Sequence, residues 1–98
     1  MGAQGTATLD FGAAAAGTVD ASVVVTGQAA YLSASSLAEA FMQGDSTADH
    51  SADEHVMAQQ MLDLLVSDLV NATGFTIYAT AREGAGLTGQ FTVHWVWN

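Results

Sequence analysis

Two alternating runs near the end of the chain constrain its fold more than any other feature. GFTIYATA (74–81) and LTGQFTVHWVW (87–97) each place apolar and polar side chains on opposite faces. A period of two residues indicates β-strands with one buried face. The glycine-rich REGAG between them predicts that the two strands pair as a long antiparallel hairpin. We expect the apolar face of this hairpin to anchor the core. Its aromatic members are Phe75, Phe91, Trp95 and Trp97.

Earlier segments show the same period. ATLDF (7–11) and TVDASVVVTG (18–27) alternate, and consecutive valines favour extended backbone. LAEAFM (37–42) fits either helix or strand, and the alternation of leucine, glutamate and phenylalanine favours a strand. Several short strands with frequent turn signals predict a mainly β fold, a small antiparallel β-sandwich forming one domain over residues 1–98.

A helical signal begins at Ser51. Ser51 and Glu54 have the spacing of a capping box, and acidic residues suit the first turn of a helix. Apolar residues further along also have helical spacing, but LDLLV within the same run alternates. The favoured prediction is a short helix near 51–58 followed by a strand near 60–68. A single helix over 52–70 is the alternative.

Charge restricts the partners of the chain. Its 98 residues include ten acidic residues and one basic residue, Arg82. Binding to nucleic-acid phosphates or to anionic membranes needs several lysines or arginines, so we expect neither partner. Charged residues make up 11% of the chain, against about 25% in ordinary soluble domains. A surface so poor in charge is typical of one covered by other subunits, which predicts a homo-oligomer.

The stretch DSTADHSADEH (45–55) holds the densest group of acidic and imidazole side chains, with His50, Asp53 and His55 as candidate metal ligands. Helical positions five residues apart point about 140° away from each other, so the two imidazoles would not converge. The HExxH and EF-hand patterns are also absent. A polar loop with a capped helix start is the favoured interpretation. A cation shared between subunits and an acid/base centre are the alternatives. We expect no catalytic residue, no enzymatic activity and no cofactor.

Aromatic side chains offer a second kind of site. Tyr78, Trp97 or Tyr31, if exposed, would be able to stack on a sugar ring. The alternative is that these rings fill the core or a subunit contact. His94 lies between Val93 and Trp95, so its side chain is expected to leave the apolar face, as a surface or interface histidine.

One segment resembles a known family. TGFTIYATAREGAGLTGQFTVHWVW (73–97) resembles the C-terminal hairpin of H-type lectin-like domains, with Gly74, Phe75 and Trp95 at matching positions. This resemblance implies a β-sandwich that assembles as a homotrimer, and a glycan-binding module for host attachment as one function. The sugar-contacting residues of the lectins do not carry over to positions in this chain.

The whole chain also resembles small virion proteins of tailed bacteriophages and prophages. The segments that carry this resemblance are GTATLDFG, ASVVVTGQ, TADHSADEH and GFTIYAT. It implies a structural protein located in the virion: a capsid decoration, a spike or a small fibre module. Such a protein would contact copies of itself and other virion proteins.

Overall fold

A computed structural model of the chain describes residues 2–14, 17–28, 33, 35–82 and 86–98. Over these ranges the fold is mainly β with one short helix, as expected from the sequence. The strands and the helix follow the order β1 (Ala3–Asp10), β2 (Asp20–Val25), β3 (Ala38–Phe41), α1 (Ala52–Met61), β4 (Leu62–Val70), β5 (Gly74–Ala81) and β6 (Gln90–Trp97).

The described strands form two antiparallel three-stranded sheets. One has the order β1-β6-β3 and the other β2-β5-β4. The sheets pack face to face, with β1 near β2 and β3 near β4. Alternate residues of each strand point inward and form one hydrophobic core. The least exposed large side chains of this core are Leu9, Leu62, Phe75, Ile77, Val93 and Trp97. The predicted β-sandwich architecture is therefore confirmed.

The predicted hairpin between 74–81 and 87–97 is wrong. β5 is the central strand of one sheet and β6 is the central strand of the other, so they do not pair. Their apolar faces meet across the core instead, where Phe75 and Trp95 pack edge to face with ring centroids 5.4 Å apart. Each central strand already has a hydrogen-bonded neighbour on both sides, which leaves no edge for the other. Residues 83–85 of the predicted turn lie outside the described part of the chain.

The burial expected for these two strands is confirmed even though their pairing is not. Phe75, Phe91 and Trp97 are each 2% exposed, and Trp95 is 7% exposed. Alternation in sequence reports which face of a strand is buried, and it does so whichever strand is the neighbour.

A helix followed by a strand is confirmed, with α1 ending three residues later than the predicted 58, and the single helix over 52–70 is wrong. The Ser51 hydroxyl accepts the Glu54 amide at 3.3 Å, and the Glu54 carboxylate accepts the Ser51 amide at 2.8 Å. The helix ends at Met61, and Leu62 already has extended backbone angles. From Leu62 the chain pairs with β5. In this strand every second side chain points toward the core, whereas in α1 the inward residues have helical spacing.

Close contacts require glycine at several positions, among them Gly74 and Gly5 in the sandwich. A Cβ atom at Gly74 would lie 1.8 Å from the carbonyl oxygen of Val25. A Cβ atom at Gly5 would lie 2.5 Å from the indole of Trp95, so the indole occupies the space that a side chain on β1 would take. Strand β1 therefore accepts a large aromatic ring from its neighbour because it lacks a side chain at this point.

Candidate functional site

The acidic and imidazole stretch lies along one edge of β6. Strand β3 has only four residues and pairs with β6 as far as Phe41 opposite His94. The preceding residues of β6 have no strand on that side within the described part of the chain. Side chains from the loop before α1 and from α1 itself bind the backbone there.

Four of these side chains form what we call the edge cap: Thr47, Asp49, His50 and His55. The Thr47 hydroxyl donates to the carbonyl oxygen of Gln90 at 2.8 Å, and the Asp49 carboxylate accepts the Gln90 amide at 2.8 Å. The His50 imidazole donates from Nε2 to the carbonyl oxygen of Thr88 at 2.6 Å. The His55 Nε2 accepts the Thr92 amide at 2.9 Å. The backbone groups that are bonded belong to Thr88, Gln90 and Thr92, which are alternate residues. A neighbouring strand would bond the same alternate residues.

His55 uses both of its ring nitrogens in hydrogen bonds with the backbone. Its Nε2 accepts an amide proton, so the ring proton is on Nδ1, which donates to the carbonyl oxygen of Ser51 at 2.9 Å. The side chain is fully buried and its ring packs edge to face against Phe91. A metal ion would have to displace the Thr92 amide to reach the Nε2 lone pair. His55 is therefore built as a structural hydrogen-bonding group.

The Nε2 of His50, in contrast, carries a proton, since it donates to a carbonyl oxygen. Its ring stacks on Phe91 with centroids 3.9 Å apart. Its Nδ1 lies 3.6 Å from the carboxylate of Glu54. The pKa of Glu54 is lowered, first by the hydrogen bond from the Ser51 backbone amide and further by the nearby His50. The carboxylate thus stays ionised at the positive end of the helix.

The three candidate metal ligands do not form a metal site with other groups of the described chain. His50 and His55 both contact Phe91, but their partnered nitrogens bind different backbone groups of the segment around β6. Asp53 is exposed in the first turn of α1. Within the described ranges, no three histidine, aspartate or glutamate side chains are grouped so that they would hold a metal ion.

His94 leaves the apolar face, as expected. Its Nε2 donates to the Asp45 carboxylate at 2.6 Å, and Phe41 stacks on the ring with centroids 5.8 Å apart. Both members of the pair are partly exposed. The contact ties the loop that starts at Asp45 to the outer face of the β1-β6-β3 sheet.

The three aromatic candidates differ in position. Trp97 is 2% exposed and its indole nitrogen donates to the Gln28 side chain at 2.8 Å, so the structure contradicts its role as an exposed stacking ring. Alternation places Trp97 on the inner face together with the other core residues of β6. Tyr78 is 39% exposed on the outer face of β5. Tyr31 lies outside the described residues.

Tyr78 stands at the centre of the outer face of the β2-β5-β4 sheet. In the strand register it lies between Ser22 on β2 and Leu65 on β4. Its hydroxyl donates to the Asp68 carboxylate, which fixes the ring in place. This hydrogen bond raises the pKa of Tyr78 above its ordinary value, with smaller contributions from desolvation and from the Asp68 charge.

A depression of about 310 Å³ adjoins this ring and is lined by polar groups of the neighbouring rows, Asp20, Ser22 and Thr80. Exposed Val24 and Leu65 lie on the same outer face. We call this surface, defined by Asp20, Ser22, Val24, Leu65, Tyr78 and Thr80, the outer β5 face. It combines one aromatic ring with hydroxyls, a carboxylate and aliphatic groups.

A second depression, of about 800 Å³, lies beside the edge cap and contains two carboxylates. The Asp10 carboxylate accepts the Gly12 amide at 2.8 Å, and Asp49 accepts the Gln90 amide. Both acids therefore already accept hydrogen bonds from backbone amides beside the depression. The arrangement supports a structural role for these carboxylates.

Several residues of these sites were not singled out in the sequence. Thr47, Asp49 and Asp45 act through contacts with residues about forty positions away in the chain, and no local pattern reports such contacts. The sequence does contain a signal for exposed Leu65 and Val24, because each is an apolar residue on the polar side of an alternating strand.

No protein-family model matches the chain, and comparisons with curated proteins and with solved structures give no match either. Among the described residues no helix is long and apolar enough to cross a membrane. The function must therefore be argued from the arrangement of side chains.

Proposed function

We propose that this chain is a non-enzymatic structural component of a bacteriophage virion, acting through surfaces that bind copies of itself and other virion proteins. The place in a virion rests on the resemblance to small phage proteins. The non-enzymatic part of the proposal is supported by the histidine and aspartate side chains, which are residue types that enzymes often use for catalysis. The two imidazoles and the Asp49 carboxylate of the edge cap bind backbone groups, and His94 binds Asp45.

The observation that carries the proposal is the amount of large apolar side chain left exposed. Scattered exposed apolar residues are normal, but a group on one face marks a contact surface. Val24, Leu65 and Tyr78 share the outer β5 face, at 65%, 62% and 39% exposure. Further exposed apolar side chains are Val56 and Met57 on α1 and Leu37 in the loop before β3.

Light scattering on the purified protein at micromolar concentration tests this function. We expect a stable homo-oligomer, and the lectin resemblance implies a trimer. Mass spectrometry of phage particles purified from the host is expected to detect the chain. A monomer that is also absent from the particles would contradict the proposal.

A glycan-binding module for host attachment is the second candidate, and the outer β5 face favours it specifically. Sugar rings stack on exposed aromatic faces, and their hydroxyls bind carboxylates and hydroxyls nearby. Tyr78 supplies the ring, while Asp20, Ser22 and Thr80 supply the polar partners.

A glycan array separates the two candidates. If a sugar binds, Tyr78→Ala is expected to abolish the signal, and Tyr78→Phe, which keeps the stacking ring, is expected to retain most of it. A wild-type protein that binds no sugar on the array, yet assembles, would leave the structural function and reject the glycan candidate.

A further inference from the structure

The two lateral sides of the sandwich are built differently. On the side of β3 and β4, several features block the addition of another strand. The edge cap covers β6 beyond the end of β3, and β4 is irregular between Ser67 and Val70. Asp68 has a positive φ of 57° in this irregular stretch, and Asp63 adds a second charge. Charges, bulges and short strands are the usual protection of a sheet edge.

The opposite side, formed by β1 and β2, lacks this protection on β1. Strand β1 pairs with β6 along all eight of its residues without a register shift. No described residue pairs with β1 on its other side. From Gly2 to Leu9 the sequence contains no charged residue and no proline. Such a long, regular and uncharged edge is a template for an added strand.

One hydrogen bond just past the end of β1 shows which of its backbone amides and carbonyls face β6. The Phe11 amide donates to the carbonyl oxygen of Gly89 at 2.9 Å. Because partners alternate along an antiparallel strand, odd-numbered residues of β1 bond to β6. The amides and carbonyls of Gln4, Thr6 and Thr8 therefore point toward the free side. The side chains of these three residues are exposed on the outer face of the sheet.

Charge favours a second copy of this chain as the occupant of the edge. With ten acidic residues and one basic residue, two copies repel each other at most surfaces. The β1 edge is free of carboxylates until Asp10. If two β1 strands pair antiparallel about Thr6, their Asp10 residues lie about 27 Å apart, because each sits four residues from the centre in opposite directions. That separation exceeds the Debye length of about 8 Å at physiological salt, so the two Asp10 charges hardly repel each other across the contact.

We propose that β1 is the self-assembly edge of this protein. Strand β1 of one copy pairs antiparallel with β1 of a second copy about a two-fold axis near Thr6. The two β1-β6-β3 sheets then join into one six-stranded sheet. This inference rests on the proposed assembling function and gives it a surface and a symmetry. An isologous contact produces dimers, and it departs from the trimer that the lectin resemblance implies.

Cysteine cross-linking tests the contact directly, because the chain has no native cysteine. In the paired strands the two Thr6 side chains stand directly opposite each other, about 5.5 Å apart at Cβ. Thr6→Cys treated with a short bis-maleimide is therefore expected to give a covalent dimer in high yield. Ser46→Cys, an exposed position in the loop before α1, is the matched control and is expected to stay uncross-linked.

A second pair of variants tests the same edge without a reagent. Thr6→Pro removes only the amide that points to the free side, so the β1–β6 ladder stays intact while strand addition is blocked. Light scattering is expected to show a dimer for wild type and Thr6→Val, and a monomer for Thr6→Pro. Circular dichroism confirms that Thr6→Pro is folded. If it is not, the cross-linking result decides.

The outcomes separate this inference from the proposed function. A trimer, or an oligomer in which Thr6→Cys gives no cross-link, overturns the β1 contact and leaves the assembling function standing. A wild-type protein that is monomeric at all concentrations overturns the β1 contact and contradicts self-assembly as well.

Discussion

At the scale of single residues, histidine and aspartate side chains in this protein make hydrogen bonds that the backbone of a neighbouring strand would otherwise make. His55 is fully buried and binds the Ser51 carbonyl and the Thr92 amide with its two nitrogens. A buried amide without a partner costs about 1–3 kcal/mol, which explains why an imidazole is held in this place. The residue type alone suggests metal binding, and only its partners reveal the structural role.

His55→Ala is predicted to destabilise the fold strongly. The change removes two hydrogen bonds, leaves the Thr92 amide unpaired and opens a cavity beside Phe91. We expect the free energy of unfolding to fall by about 3 kcal/mol or more, measured by urea denaturation. His94→Ala is the control and is expected to cost about 1 kcal/mol, because its pair with Asp45 is partly exposed. Equal stability of His55→Ala and wild type would reject this role.

Tyr78 is predicted to ionise late in an alkaline titration. Its hydrogen bond to Asp68 raises its pKa above the ordinary value of 10.0. The folded state therefore holds the phenolic proton to higher pH than the unfolded state does. The resulting stabilisation is complete below pH 10.0 and is lost as pH rises through the folded pKa.

Absorbance of tyrosinate measures this shift, with Tyr78→Phe identifying the signal that belongs to Tyr78. In Asp68→Asn the midpoint is expected to return toward the ordinary value, because the charged acceptor is gone. A Tyr78 midpoint at or below 10.0 in the wild type would argue against the hydrogen bond.

At the scale of elements, local sequence patterns identify the elements well and their neighbours poorly. The capping box locates the start of α1, and the return of alternation at Leu62 locates β4. The same alternation in 74–81 and 87–97 gives the buried faces of β5 and β6. It carries no information on which strands are adjacent, since the face of a side chain and the direction of a backbone hydrogen bond are perpendicular. A short glycine-rich connection can therefore join two strands of one sheet or of two.

Ser51→Ala is predicted to weaken the start of α1. The serine hydroxyl accepts the Glu54 amide, and loss of an N-cap costs about 1 kcal/mol. Chemical denaturation measures the change, and Ser46→Ala in the preceding loop is the control with no expected effect. A loss well below 0.5 kcal/mol would show that the cap contributes little.

The same capping box makes the helix start sensitive to acid. The pKa of Glu54 is lowered from 4.5 in the folded state, so its stabilisation is present above pH 4.5. It is lost as pH falls through the folded pKa. NMR titration of the Glu54 carboxyl is expected to give a midpoint below 4.5, and in Ser51→Ala the midpoint is expected to stay below 4.5, because the Ser51 backbone amide remains the main donor.

At the scale of the whole molecule, the fold class followed from the sequence and the sites did not. Strand period and turn residues are properties of short segments, and they predict a mainly β sandwich. The edge cap joins 47–55 to 88–92, and the outer β5 face joins three strands that are distant in sequence. Such sites form only when the strand order is set, and strand order is what the local patterns could not supply.

The same view shows that the two ends of the β1-β6-β3 sheet differ. Side chains of the edge cap bind β6 beyond the end of β3, whereas no described residue pairs with the outer side of β1. Side chains of the stretch at 45–55 thus stabilise one end of this sheet, and β1 at the other end is the edge that we propose for assembly.

Hydrogen exchange at individual amides of β6 tests this account most directly. We predict that the Gln90 and Thr92 amides are protected in the wild type, like that of Val93 in the same strand. Asp49→Ala is expected to release the Gln90 amide and His55→Ala the Thr92 amide. Asp53→Ala, which removes an exposed acid of the same stretch, is expected to change neither. Wild-type Gln90 and Thr92 amides that exchange at unprotected rates would contradict the edge cap and reopen the stretch to a chemical role.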